Sequence, residues 1–354
     1  MARLDSLLQT LVELGGSDLH VSAGVPPVFR VNGVLQRARS TPLDPGDAQD
    51  LIYEVLSEEQ IEALEQTRDI DFGYGIEGLA RFRGNAYFHR KGLGASFRWI
   101  PATPPTLDSL GMPPVVRELA SLRRGLVVVT GPTGSGKSTT LASMIHHRNV
   151  ERADHIITLE DPLEFLHDDA QCLIHQREVG SDARSFAAGL RAALREDPNV
   201  LLVGEMRDTD TVALALTGAE TGLLVLGTLH TQSAAKTVDR IIDAFPADQQ
   251  SQVRSMLAES LRGVIAQVLL RRADGRGRIA ALEVLVNTPA VGHLIREAKT
   301  FQIPSLIQTG RKDGMQLLDQ HLLELVNAKA VTPEEAARYA QNKAVFERLG
   351  TKTP

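Results

Sequence analysis

The sequence predicts an α/β protein: a larger C-terminal part built on a parallel sheet, preceded by a smaller α+β region. Three observations predict it. Apolar runs at 126–130, 156–159, 200–203 and 223–226 each precede a helical pattern, as buried parallel strands do. A glycine-rich loop joins the first run to its helix. Residues 101–114 hold five prolines, which resist helix and central strand, and they divide this part from strands that alternate in the antiparallel manner.

Taken in order, residues 4–14 place Leu4, Leu7, Leu8 and Leu11 on one helical face. Residues 28–34 read as strand, turn, strand about Asn32-Gly33. Residues 45–66 read as one helix, and 69–74, 80–89 and 94–100 as antiparallel strands. The expected boundaries are an N-terminal domain over 1–100, a linker over 101–114 and a core over 115–354. Within that core, 246–270 predicts a helix with Val253, Met256, Leu257, Leu261, Val264, Ile265 and Val268 on its apolar stripe. A helical tail is expected from about residue 288, including 316–328 and 333–339.

The 354 residues are 43% apolar, enough for a normal core. With 38 basic against 44 acidic residues, the net charge of −6 argues against broad nucleic-acid binding. A local basic patch is expected around Arg81, Arg83, Arg90, Lys91 and Arg98. The single cysteine, Cys172, excludes an internal disulfide and a cysteine-based zinc site, and fits a reducing compartment. The opening Met-Ala-Arg-Leu-Asp lacks a signal-peptide pattern, and no apolar run approaches the roughly 18 residues of a membrane span. The expectation is a soluble protein.

Gly131-Pro132-Thr133-Gly134-Ser135-Gly136-Lys137-Ser138 matches the G-x-x-x-x-G-K-[ST] phosphate loop, between an apolar strand and a helical run over 139–147. Glycines let backbone N–H groups converge on phosphate oxygens, and the helix N-terminus adds partial positive charge. Lys137 is then expected on the β and γ phosphates of ATP, Ser138 on Mg²⁺, and Thr139 beside them. A glycine-rich turn with a surface lysine is the alternative; the flanking strand and helix count against it.

Such a loop needs acids nearby. Glu160, Asp161 and Glu164 follow one apolar strand and Glu205 another, and ligands sit beyond the carboxyl ends of such strands. Asp161 before Pro162 also suits a plain turn, and Glu164 a solvated helix start. His230 ends the next strand, where it either donates to a γ-phosphate or lies in a surface turn.

Four motifs now stand in one order. They are the phosphate loop; Ile157-Thr158-Leu159-Glu160-Asp161-Pro162-Leu163-Glu164-Phe165; the segment from Leu194 through Gly204-Glu205-Met206-Arg207-Asp208; and Gly227-Thr228-Leu229-His230-Thr231. Together they resemble the Walker A, aspartate, Walker B and histidine boxes of the secretion ATPases of type II secretion and type IV pilus systems. Asn199 departs from the family's usual Asp, at a position expected to precede the strand and to lie away from nucleotide. Gly16-Ser17-Asp18-Leu19-His20-Val21 resembles the retraction type, as does His293-Leu294-Ile295-Arg296-Glu297, although Val291-Gly292-His293 differs from that type's usual residues.

The resemblance implies a RecA-like core, a PAS-like N-terminal domain and a homohexamer with ATP at subunit interfaces. It implies Glu164 polarising the attacking water, Glu205 acting through the metal or its water shell, and His230 sensing the γ-phosphate. Arg81, Arg83 and Arg98 become candidates for arginines acting in trans, against the alternative of an edge strand blunted by charge. It further implies a cytoplasmic motor at the pilus base, docked on an inner-membrane platform protein and acting indirectly on pilin. An accessory retraction paralogue, an assembly or type II secretion ATPase, a nucleic-acid translocase and a non-hydrolysing subunit are the rivals.

Overall fold

The computed structural model describes residues 3–31, 33–100 and 103–350. It divides into two compact units, Met1–Thr103 with Pro162–Leu166, and Pro104–Asp161 with His167–Pro354.

The first unit contains α1 (Arg3–Glu13), β1 (Gly16–Ser22), β2 (Val28–Val31), β3 (Val34–Arg37), α2 (Pro45–Tyr53), α3 (Glu58–Thr67), β4 (Asp69–Ile76), β5 (Ala80–His89) and β6 (Gly92–Ile100). Its antiparallel sheet runs β3-β2-β1-β6-β5-β4. Leu4, Leu8 and Leu11 of α1 join Phe29, Phe82 and Phe97 in one core, the PAS-like α+β arrangement expected. Asn32 of the expected turn lies outside the described residues.

The helix expected over 45–66 is two helices. The Ser57 hydroxyl accepts from Gln60 N–H and the Gln60 side chain accepts from Ser57 N–H, a capping box that starts a second helix inside the apolar pattern.

The second unit begins with α4 (Pro114–Ala120), so the end of the expected linker is already helical; Pro101 and Ala102 of that linker lie outside the described residues. Then come β7 (Gly125–Thr130), α5 (Lys137–Glu151), β8 (His155–Glu160), β9 (Leu173–Glu178), α6 (Phe186–Ala193), β10 (Val200–Val203), α7 (Thr209–Glu220), β11 (Leu224–Leu229), α8 (Ala234–Asp243), α9 (Gln250–Ser260), β12 (Leu261–Arg271) and β13 (Arg278–Val286). The tail is α10 (Pro289–Arg296), α11 (Ile303–Thr309), α12 (Leu318–Asn327), α13 (Pro333–Ala337) and α14 (Lys343–Gly350).

The sheet order is β13-β12-β7-β11-β10-β8-β9, parallel except for β13. β7, β10 and β11 are buried along their whole length, and each fully buried Val or Leu contributes about 1.5–3 kcal/mol. This is the RecA-like core expected. Arg148, 3% exposed, fixes the far end of α5: it donates to Asp154 at 2.7 Å and to the Ala120 and Leu122 carbonyls at 2.9 and 2.6 Å.

The helix predicted over 246–270 is corrected. Only Gln250–Ser260 is helical; from Leu261 the chain is strand β12, parallel to β7 and antiparallel to β13. Val264, Ile265 and Val268 are β-branched and suit a pleated surface, while their spacing also fits 3.6 residues per turn. Burial on both faces decided for strand.

Candidate active site

β7, β11 and β10 are neighbours, and their carboxyl ends are in step. Thr130 pairs with Leu229, and Val203 with Gly227. Gly131, His230 and Glu205 therefore leave the sheet at one edge from three adjacent strands, where open α/β sheets bind ligands.

The phosphate loop spans β7 and α5. Pro132, Thr133 and Gly134 are exposed, Ser135 is buried, and Lys137, Ser138 and Thr139 form the partly exposed first turn of α5. The helix begins at Lys137, two residues before the position the sequence predicts. Gly131 is obligatory, because a Cβ there would lie 2.3 Å from the Gln267 carbonyl oxygen. Gly136 has φ of 88°, which an L side chain rarely adopts. Lys137 Nζ donates to the Gly131 and Pro132 carbonyls at 3.0 and 3.3 Å, holding its ammonium at the loop.

The residues fit a bound nucleotide. The loop's tip is open, the α5 N-terminus faces it with no side-chain cap, and Ser135 Oγ is buried without a hydrogen-bond partner.

Glu205 follows β10 after one residue, Gly204. It accepts from Arg207 Nε at 2.5 Å and lies 3.1 Å from His230 Nε2. The bond to Glu205 raises the Arg207 pKa above its usual value. The segment is sewn to β11: the Thr228 hydroxyl donates to the Gly204 carbonyl, and Met206 N–H to the Thr228 carbonyl at 3.1 Å. Asp208 then caps α7, accepting from Thr211 N–H at 2.8 Å.

A chain of hydroxyls ties the phosphate-loop strand to the histidine loop. Thr130 Oγ1 lies 2.8 Å from Thr231 Oγ1, which lies 2.6 Å from Thr237 Oγ1 on α8. Thr231 N–H donates to Thr130 Oγ1 at 2.9 Å. The first backbone N–H of α8, on Ala234, donates to the buried Glu283 carboxyl at 2.8 Å, whose pKa burial pushes up.

The remaining expected residues lie on other elements. Glu160 ends β8, and its Oε1 accepts from the Thr158 hydroxyl at 2.8 Å. Asp161 is exposed in the following turn. Glu164 lies in Pro162–Leu166, which belongs to the first unit, whereas Lys137, Glu205 and His230 belong to the second. Arg81 and Arg83 are on β5 and Arg98 on β6, with Arg83 paired directly opposite Arg98. β5 lies between β6 and β4, so the edge-strand reading of these arginines does not hold. Asp18, opposite Arg98 on β1, accepts from Arg98 Nε at 2.9 Å.

The expected basic patch is split. Arg90 and Lys91 occupy the β5–β6 turn, and Arg81, Arg83 and Arg98 the other end of that hairpin, because ten extended residues span roughly 30 Å. Asn199 precedes β10 and caps the sheet's amino edge, accepting from His155 N–H at 2.8 Å, at the opposite end of the strand from Glu205.

Two residues of this region carried no sequence expectation. Gln267 is a lone amide in an apolar run, and that interruption was its signal. Thr130 carried none beyond ending a strand.

A parallel sheet with a phosphate loop, and an acid and a histidine at the adjoining strand ends, defines a P-loop ATPase. The family model "Type II/IV secretion system protein" matches residues 2–344. The chain belongs to that family. It is 50% identical over 335 residues to the type IV pilus retraction ATPase PilT of Pseudomonas aeruginosa, covering 95% of this chain and 97% of that one. It is 49% identical over 316 residues to a twitching motility protein of Neisseria gonorrhoeae, covering 89% and 84%. Among solved structures, the pilus retraction motor PilT with bound ADP superposes with a TM-score of 0.90 at 45% identity, covering 98% and 99%.

Proposed function

We propose that this chain is a hexameric ATPase motor that powers type IV pilus retraction. The observation that carries the reading is the Glu205–His230 pair beside the phosphate loop, in a chain whose length is matched almost throughout by a retraction ATPase. Gly131, Pro132, Thr133, Gly134, Ser135 and Gly136 wrap the phosphates, and Lys137, Ser138 and Thr139 bind them from the first turn of α5. Ser138 and Glu205 would hold Mg²⁺, which when bound would supply positive charge against the phosphates.

Glu164 polarises water, His230 reads the γ-phosphate, and Arg81, Arg83 and Arg98 of a neighbouring subunit stabilise the transferring phosphoryl group. The boundary near residues 101–114 serves as a hinge between the domains. The ring works in the cytoplasm at an inner-membrane platform protein and reaches pilin only through it, without nucleic acid. Among the described residues no helix is long and apolar enough to cross a membrane.

Deletion of the gene followed by microscopy of surface pili tests this. Excess pili that do not retract are expected; loss of pili would point to assembly instead. Lys137→Ala is expected to cut ATP turnover by at least about 100-fold and to reproduce the deletion.

A further inference from the structure

Amides that point at a phosphate leave their carbonyls pointing the other way, and a buried carbonyl needs a donor. In the phosphate loop that carbonyl is Ser135's. Ser135 is 3% exposed, and its oxygen faces β12, where Gln267 Nε2 donates to it at 2.5 Å. The other end of the same amide accepts from Thr140 Oγ1 on α5 at 2.9 Å. Gln267 and Thr140 are 2% and 1% exposed, so water does not substitute for these bonds.

The orientation of the amide is fixed by chemistry. A carbonyl only accepts, so the NH₂ group must face Ser135, leaving the oxygen for the Thr140 hydroxyl. Gln267 follows Ala266, which pairs with Thr130, so it stands level with the first loop residue. It also meets two of the loop's three glycines at positive φ. Its carbonyl oxygen forbids a side chain at Gly131, and its Nε2 lies 3.1 Å from where a Cβ of Gly136 would be. One residue of β12 thus touches the start, middle and end of the loop and the helix beyond it.

We propose that Gln267 is a positioning residue for nucleotide binding, whose amide braces the loop against α5 so that its N–H groups stay aimed at the phosphates. The proposal rests on the reading of residues 131–139 as the phosphate site. Gln267→Met keeps the length and apolar bulk of the side chain and removes both bonds. Gln267→Glu keeps the shape and turns the donor facing Ser135 into an acceptor. Both are expected to weaken binding of fluorescent mant-ADP to the full chain at least tenfold.

Hydrogen exchange without nucleotide is expected to rise in 131–138 and to stay unchanged in β7 and β12. Thr140→Val alone is expected to weaken binding about threefold, and less than twofold further in the Gln267→Met background. The proposal is overturned if both Gln267 variants bind mant-ADP within twofold of the wild type. It is also overturned if exchange rises equally through β7, or if Thr140→Val costs the same in both backgrounds. Should the Gln267 variants not fold, Thr140→Val decides: wild-type binding with unchanged loop exchange overturns the proposal. Failure of the wild type itself to bind mant-ADP would remove the phosphate-site reading instead.

Discussion

Replacing Thr130 by valine isolates the hydroxyl chain that joins the phosphate-loop strand to the histidine loop. Thr130 is fully buried. Its hydroxyl accepts the Thr231 N–H at 2.9 Å and donates to the carbonyl of Leu229 or Thr231, at 3.0 and 2.9 Å. Valine has the same shape and neither capacity. The lost donation and the stranded N–H of half-buried Thr231 each cost about 1 kcal/mol, so Thr130→Val is expected to destabilise the second unit by about 2 kcal/mol. Thr130→Ser keeps the hydroxyl and gives up one methyl group, about 1 kcal/mol. The difference of about 1 kcal/mol is the quantity to measure.

Trp99, the one tryptophan, belongs to the first unit. Urea unfolding is therefore followed by hydrogen exchange of β7 and β11 amides. Because Thr231 adjoins His230, ATP turnover is expected to fall several-fold in the valine variant and to hold in the serine variant. Equal stability of the two variants, within about 0.5 kcal/mol, would refute the reasoning.

Glu164→Gln is expected to retain mant-ADP binding and to lose turnover by at least about 100-fold; normal turnover would remove Glu164 from the site. Arg98→Ala is expected to lower turnover by about 10³-fold while each chain still binds ADP, and unchanged turnover would exclude Arg98 as a residue acting in trans. His167 has Nδ1 buried without a hydrogen-bond partner, and burial lowers its pKa to about 4. The unfolded chain therefore binds the extra proton first, so His167's contribution is complete above about pH 6.5 and is lost as pH falls towards 4. Between pH 8 and pH 5 that loss is about 2 kcal/mol, and His167→Gln is expected to abolish it in urea titrations at the two pH values.

What the sequence by itself determined was whatever depends on short-range chemistry. The phosphate loop was legible because glycines, lysine and serine at fixed spacing, between an apolar strand and a helix, suffice to specify it. So were Glu205 and His230 as strand-end residues, since His230 directly follows an apolar run and Glu205 follows one after a single glycine. Local spacing failed where two periods fit the same residues. The run after Leu261 satisfied a helix stripe and a strand equally, and only its place between β7 and β13 decided. Tertiary structure alone put Glu205 against His230, because strand order, not sequence order, sets which strand ends adjoin. It alone grouped Glu164 with the first unit, and it alone turned Gln267 from a flaw in an apolar run into the partner of a loop 132 residues away. Pairing over such distances is fixed by which buried donors must find acceptors once the sheet has closed, and no window of sequence contains both partners.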